Sequence, residues 1–459
     1  MADFIAHLRD IVGDKGLVLK EELSGRSAGY RHPDKTLCAK VLVRPTCTEE
    51  VSAVLKLCND NGQAVVSHGG LTGLVDGNIV GEDEVILSLE RMREIEEIDP
   101  ASSTMTVQTG VTLQTVQEAA DEAGFFFPLD LGGRGTATLG GNISTNAGGN
   151  RVVRYGMARD MVLGMEAVQA DGTVLSALGK IIKDNAGYNL KHMFIGSEGT
   201  LGVVTRLVLR LRPKPASQQT AFLAVDEFAN LPKLLNFCNS RSGGGLSAFE
   251  VMWQNYFQLV TSRPGAAQPL SDEYPYYVLM EVMGGDPDGD GERFENMLAE
   301  ALEEGLMVDA VIAKSEGERL AMWALRDDVE SLRTWGPTIG FDVGLPIAAM
   351  PDYLDEIDQP IVAQWPERKR AVFGHLGDGN LHIVYAVGEN GDNAKKVIND
   401  AVYHPLASRG GSVSAEHGIG LQKKDYLEIS RSPAEIALMK QLKAMMDPNN
   451  ILNPGKIFS

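Results

Sequence analysis

Two hydrophobic rhythms alternate along the first half of the chain. Val51, Val54, Leu55 and Cys58 share one helical face, opened by a Thr46–Glu49 capping box after Pro45 and stopped by Asn61-Gly62. Ala64-Val65-Val66 then reads as a short buried strand running into Ser67-His68-Gly69-Gly70-Leu71-Thr72-Gly73. Val85–Leu89 and Thr104–Gln108 predict further strands, the second half-buried because its polar and apolar residues alternate. Leu113, Val116, Ala120 and Ala123 predict a helix ending at Gly124, and strand-like runs recur at Val162–Gln169 and Gly202–Leu211.

The pattern changes after Arg212-Pro213-Lys214-Pro215, the strongest boundary signal in the chain. Beyond it, strands such as Phe222–Val225 and Tyr276–Val282 alternate with helices such as Arg293–Leu306. This predicts an α+β domain with a largely antiparallel sheet. Met446–Phe458 is too rich in Asn, Pro and Gly for a helix. The expected organisation is a first domain over 1–215, a second over 216–445, and a C-terminal segment, 446–459, returning to the first.

Composition narrows the function. Hydrophobic residues at 44% and charged residues at 23% are those of a globular protein, but 50 glycines in 459 residues are an excess, and they cluster. A net charge of −20 repels phosphate backbones and anionic lipid, which disfavours nucleic acid and membrane surfaces as partners. Cys38, Cys47, Cys58 and Cys238 form no C-x-x-C pair and read as reduced thiols. No apolar run approaches the ~18 residues of a membrane span. Phe4, Ile5, Leu8, Ile11 and Val12 carry interleaved charges, unlike a signal peptide, so a cytoplasmic location is expected.

Three of the glycine clusters lie at strand ends in the first domain. They are Ser67–Gly73, Leu139-Gly140-Gly141-Asn142-Ile143-Ser144-Thr145-Asn146-Ala147-Gly148-Gly149, and Ile195-Gly196-Ser197-Glu198-Gly199-Thr200-Leu201-Gly202. Each mixes bare backbone N–H groups with small hydroxyl or amide side chains, a composition suited to pyrophosphate and a ribityl chain. No G-x-G-x-x-G with a following acid occurs, which disfavours a Rossmann NAD site, and no G-x-x-x-x-G-K-[ST] occurs, which removes a P-loop.

With Pro128-Leu129-Asp130, Ala137–Gly149 and Gly196–Thr205, these segments resemble the FAD-binding domain of the vanillyl-alcohol-oxidase type over residues 36–215. Residues 216–458 resemble the C-terminal cap of FAD-linked oxidases, the family of D-lactate, D-2-hydroxyglutarate and glycolate dehydrogenases. The resemblance implies two α+β subdomains holding FAD, with a cap domain. It implies cofactor contacts from Gly69, Gly70, Leu71, Thr72, Gly73, Asp130, Thr138, Gly141, Asn142, Ser144, Asn146, Glu198, Val204 and Asn453. His68 stands where relatives carry Arg, and reads as a polar contact or a surface residue. Relatives with covalent flavin carry His where this chain has Leu71, so the FAD is expected to be non-covalent.

A second signal comes from spacing. Phe373–Tyr385 reads as strand, turn, strand, and an Asp378-Gly379 hairpin turn sets His375 opposite His382 on one face. Two imidazoles so placed can share a metal ion, with a third ligand available from Ser414–Gly420. The resemblance places the metal on His375, His382 and Glu416, with Asp378 left as a turn residue. Zinc is the first expectation, and manganese and iron are alternatives.

A 2-hydroxy acid can chelate such an ion through its hydroxyl and carboxylate, and His417, beside Glu416, can serve as general base. Arg326 matches the family's substrate-carboxylate arginine, although Asp327, Asp328 and Glu330 would equally suit a surface ion pair. D-2-hydroxyglutarate enzymes of the family usually carry Lys where this chain has Gly340, and Asn where it has Val384. The expected substrate is therefore a monocarboxylic D-2-hydroxy acid such as D-lactate or D-mandelate, unless Arg333 serves a second carboxylate.

The expected electron acceptor is an electron-transfer flavoprotein or a quinone, and a homodimer is an expected assembly. Three alternatives remain: a D-2-hydroxyglutarate dehydrogenase, a glycolate-oxidase-like flavoprotein subunit without activity of its own, and a non-oxidising relative such as an alkylglycerol-phosphate synthase.

Overall fold

A computed structural model describes residues 2–458, which divide into two compact units. The first comprises residues 1–148, 156–214 and 416–459, and the second residues 149–155 and 215–415.

In the first unit a four-stranded sheet runs in the order Leu17–Leu19, Val41–Val43, Val85–Ser88, Val65–His68. The last three strands are parallel, and each is almost wholly apolar because both faces are covered. Val51, Val54, Leu55 and Cys58 from the helix Thr48–Asp60 pack with Leu8 and Val12 against Val41, Val43, Val65 and Val85. That helix begins at Thr48 rather than after Thr46. The carboxylate that closes onto Thr46 is Glu50, which accepts from its N–H at 2.7 Å, so the expected Glu49 pairing is one residue off.

The second sheet is a five-stranded antiparallel one: Ile95–Asp99, Thr104–Gln108, Val203–Arg210, Val162–Val168, Val174–Ala177. Thr104–Gln108 is buried along its whole length, not on alternate residues. Its polar side chains are sheltered too.

The chain rejoins this unit at Glu416, well before the turn-rich tail expected to make the return. The reason is polar. The N–H groups of Ile419 and Gly420 donate to Glu198 at 2.7 and 2.8 Å, and the Lys443 ammonium donates to the carbonyls of Thr200 and Leu452 at 2.9 and 2.7 Å. Among the described residues after Met446, which ends the helix Pro433–Met446, there is no further helix, but Ile451–Asn453 lies along Val65 through backbone hydrogen bonds.

The second unit is built on one seven-stranded antiparallel sheet. Its order is Asp309–Ile312, Ser217–Val225, Tyr276–Gly284, Leu246–Trp253, Lys369–His375, Asn380–Ala386, Ile339–Gly344. One face buries stacked aromatic pairs: Phe257 on Tyr277 with centroids 3.7 Å apart, and Tyr256 on Phe373 at 4.2 Å. Residues 149–155 belong here because Arg151 pairs with Glu281, a buried carboxylate also reached by Trp323 Nε1 at 3.0 Å and Gln218 Nε2 at 2.7 Å. Arg154 adds hydrogen bonds to the carbonyls of Gly245 and Met283. Among the described residues no helix is long and apolar enough to cross a membrane.

Candidate functional site

In the first unit the strand Val65–His68 delivers the chain to an open cleft. Its floor is backbone. A Cβ on Gly69 would stand 2.5 Å from Thr138 Oγ1, and one on Gly70 would stand 2.0 Å from Thr136 O, so two chain segments meet there with no room for a side chain. The short helix Leu139–Ser144 packs against this floor and forms a wall, with Gly141 N–H bonded to the Thr138 hydroxyl.

A third wall comes from Glu198, held in the left-handed region at φ 52°. Asn453 locks this wall to the first, accepting from Ser67 N–H at 2.9 Å and donating to Glu198 O at 2.7 Å. Burial pushes the Glu198 carboxyl above its ordinary value, although the Ile419 and Gly420 N–H groups pull the other way. His417, two residues before Ile419, lines the same cleft.

The cleft fits a flavin dinucleotide on its own evidence. Its walls are glycine backbone, hydroxyls and amides. Asn142 lines it with a buried Nδ2 that has no hydrogen-bond partner in the protein, a donor that a ligand oxygen would satisfy.

In the second unit, adjacent strands of the sheet bring Glu250, His375, His382 and Asp342 together. Glu250 is the cross-strand partner of His375, and Asp342 that of His382. The hairpin exists, but its register differs from the expected one: His382 faces Phe373, not His375. A 3₁₀ turn, Leu376–Asp378, with Gly379 left-handed, replaces the two-residue turn, and Asp378 accepts from Asn380 N–H. Because side chains alternate with period two, a shift from 375 to 373 keeps the face. The two imidazoles still meet, centroids 5.3 Å apart and 79° between planes.

Arg326 ends the helix Glu316–Arg326 and is only 4% exposed, so it is not a surface ion-pair residue. Its Nε donates to Glu250 Oε2 at 2.7 Å, and His375 Nδ1 contacts Glu250 Oε1 at 2.9 Å. Burial opposes the Glu250 charge, but the pull of His375 and Arg326 outweighs it and holds the carboxyl below its ordinary value.

Residues 39–177 match the FAD binding domain family, and residues 214–457 match the FAD linked oxidases, C-terminal domain. The chain is 39% identical over 457 residues to the mitochondrial D-2-hydroxyglutarate dehydrogenase of Bos taurus, covering 99% of this chain and 83% of that protein. It is 38% identical over 427 residues to a putative mitochondrial D-lactate dehydrogenase of Schizosaccharomyces pombe, covering 91% and 81%.

The chain belongs to the FAD-linked oxidases, in the branch of FAD-dependent hydroxyacid dehydrogenases. Among solved structures it is similar to an alkyldihydroxyacetonephosphate synthase, with TM-score 0.78, 18% identity and coverage of 99% and 84%. It is also similar to p-cresol methylhydroxylase with substrate bound, with TM-score 0.76, 16% identity and coverage of 99% and 96%. These two likenesses establish the vanillyl-alcohol-oxidase-type fold and nothing finer.

Of the flavin contacts the family resemblance implies, Gly69, Gly70, Leu71, Thr72, Gly73, Thr138, Gly141, Asn142, Ser144, Glu198, Val204 and Asn453 line the cleft. Asp130 and Asn146 are not among its lining residues. Asp130 pairs with Arg134 at 3.2 Å, and Asn146, at φ 51°, accepts from Arg159 N–H at 3.0 Å. His68 is buried, with Nε2 2.8 Å from Asn78 O, which rules out the surface reading.

Two carboxylates escaped sequence reasoning, Glu250 and Asp342. Asp342, fully buried, accepts from Asn380 Nδ2 at 2.9 Å and from Ser414 Oγ and Ala415 N–H, each at 3.1 Å. One of its oxygens lies within 4.8 Å of a His382 ring nitrogen. Glu416 follows Ala415 directly. The His382 imidazole beside the buried Asp342 carboxylate offers donors of the kind a first-row divalent ion takes.

Proposed function

We propose that this enzyme oxidises a monocarboxylic D-2-hydroxy acid, such as D-lactate or D-mandelate, to the 2-oxo acid, using non-covalent FAD and one divalent ion. In this reading His375, His382 and Glu416 hold the ion, zinc in the first place and manganese or iron otherwise. When bound, the flavin accepts the C2 hydride and the ion acidifies the substrate hydroxyl.

The chain's own residues do the rest. Arg326 pairs with the substrate carboxylate and fixes which face of C2 is presented. An imidazole nitrogen of His417, on the wall of the flavin cleft, takes the hydroxyl proton. The glycine floor at Gly69 and Gly70 lets backbone N–H groups approach the pyrophosphate.

The observation that carries the substrate choice is the pairing of Gly340 with Val384. They are register partners two residues along from Asp342 and His382, on the same face, and a Cβ on Gly340 would stand 3.9 Å from Val384 Cγ2. Ala371 and Phe373 continue this face, and both pack with Val384 in one apolar cluster. Neither Gly340 nor Val384 offers a second carboxylate a cation or a side-chain donor, and burying that charge unpaired would cost several kcal/mol. Arg333 is exposed and pairs with Glu330 at 2.7 Å, which leaves it a poor substitute.

The second reading, a D-2-hydroxyglutarate dehydrogenase, is favoured by relatives so named at 38–40% identity over at least 91% of the chain. Measuring kcat/KM in parallel for D-lactate, D-mandelate, D-malate and D-2-hydroxyglutarate decides between them. A clear preference for either diacid overturns the monocarboxylic reading and leaves the chemistry standing. Electrons leaving the flavin go to an electron-transfer flavoprotein or a quinone. A cytoplasmic location, consistent with four free thiols, completes the proposal.

A further inference from the structure

The family resemblance assigns Glu198 to the flavin, yet both oxygens of its carboxylate are engaged by the protein. Oε1 accepts from Ile419 N–H at 2.7 Å and Oε2 from Gly420 N–H at 2.8 Å. Those donors lie 221 and 222 positions later in the chain, and all three residues belong to the first unit.

The backbone on both sides is shaped for this contact. Glu198 stands at φ 52°, a region that side chains with a Cβ rarely adopt, and it is held there at both ends. Its N–H donates to Ser144 O at 2.8 Å and its carbonyl accepts from Asn453 Nδ2 at 2.7 Å. On the other side, a Cβ on Gly418 would stand 2.9 Å from Glu198 Oε1, so only glycine lets the carboxylate come this close. His417 immediately precedes Gly418 and lines the cleft. Beyond the contact, Val75 O accepts from Leu421 N–H at 2.9 Å, a second anchor that does not depend on Glu198.

We propose that Glu198 is a positioning residue: its carboxylate holds the backbone at Ile419 and Gly420 so that the His417 imidazole stands at a fixed place on the cleft wall. The inference rests on the reading of His417 as the proton acceptor. It moves Glu198 from the cofactor to the base. A displacement of ~1 Å in such a group can lower a rate ~10²-fold while leaving binding intact. Glu198→Gln keeps the size of the side chain but accepts on one oxygen only. Its amide N–H₂ then confronts the second backbone N–H, and the chain must shift to separate two donors.

The test uses the flavin-bound enzyme and adds deuterium exchange at residues 419–420, a readout independent of turnover. Glu198→Gln should keep the wild-type ratio of flavin to protein and exchange at Ile419 or Gly420 ~10-fold faster. With the best of the four hydroxy acids, kcat should fall ~10–100-fold while KM stays within ~3-fold of wild type.

The decisive arm is the double variant Glu198→Gln/His417→Ala. If Glu198 acts through His417, the double variant turns over as slowly as His417→Ala alone, because no base is left to misplace. Independent structural damage would instead multiply the two losses. The role given to Glu198 is overturned by unchanged exchange, by kcat within ~2-fold of wild type, or by a double variant more than ~3-fold slower than His417→Ala. Loss of flavin from the single variant returns Glu198 to the cofactor and overturns it too. Intact kcat in His417→Ala removes the base reading itself, and this inference with it.

Discussion

His68 makes the flavin cleft sensitive to acid. It ends the strand that feeds Gly69, is 4% exposed, and keeps Nε2 on the Asn78 carbonyl at 2.8 Å. Burial, with Lys456 and Arg26 adding repulsion, pushes its pKa down from 6.5 to about 4, so the folded protein holds it neutral. An unfolded chain takes up the proton near 6.5. Stability from this group is therefore fully present above pH 6.5 and is lost as pH falls through about 4.

At 1.36 kcal/mol for each pH unit between those values, the complete loss is roughly 3 kcal/mol, most of it already incurred at pH 4.5. The assay is denaturant-induced flavin release, read by fluorescence, at pH 7.5 and 4.5 in wild type and in His68→Gln. The glutamine can donate a hydrogen bond but does not titrate, so other acid-labile groups cancel in the difference. Wild type should lose roughly 2–3 kcal/mol more than the variant across this interval. Parallel pH dependences, agreeing within ~0.5 kcal/mol, would refute the assignment of a buried neutral imidazole.

The glycine floor predicts that Gly70→Ala expels the cofactor, because its Cβ would collide with the backbone oxygen of Thr136; the absorbance ratio of flavin to protein checks this, and full occupancy counts against a built cradle. His417→Ala should lower kcat by ~10²–10⁴-fold with KM changed far less, the signature of a lost proton acceptor. A raised KM at intact kcat would make it a binding residue. Acid precipitation should release all the FAD into the supernatant, since His68 and Leu71 offer no attachment; yellow colour left in the pellet contradicts this. Chelation should abolish turnover without releasing flavin, and His375→Ala and His382→Ala should behave like the chelated enzyme.

What the sequence made legible was local. Glycine mixed with hydroxyls at strand ends marked the cleft, because backbone approach leaves a compositional trace. The histidine pair survived a wrong register because the error was even, and strand faces repeat every second residue. What stayed hidden depends on partners far apart in the chain. Glu250 acts on a histidine 125 positions away, and Glu198 gathers N–H groups more than 200 positions ahead. No local period records such meetings. An acid inside an apolar strand, as at Asp342, reads only as a break in the pattern, and Arg326 was masked by the acidic neighbours that follow it.

Chain order also bears on synthesis. The polypeptide changes unit at 148/149, 155/156, 214/215 and 415/416, so neither unit is one uninterrupted stretch of message. Asn453, which ties two walls of the flavin cleft together, lies 386 positions after Ser67 and 255 after Glu198. Cofactor capture must therefore wait until synthesis has passed Asn453, and products truncated before it should be colourless however well their earlier strands have formed.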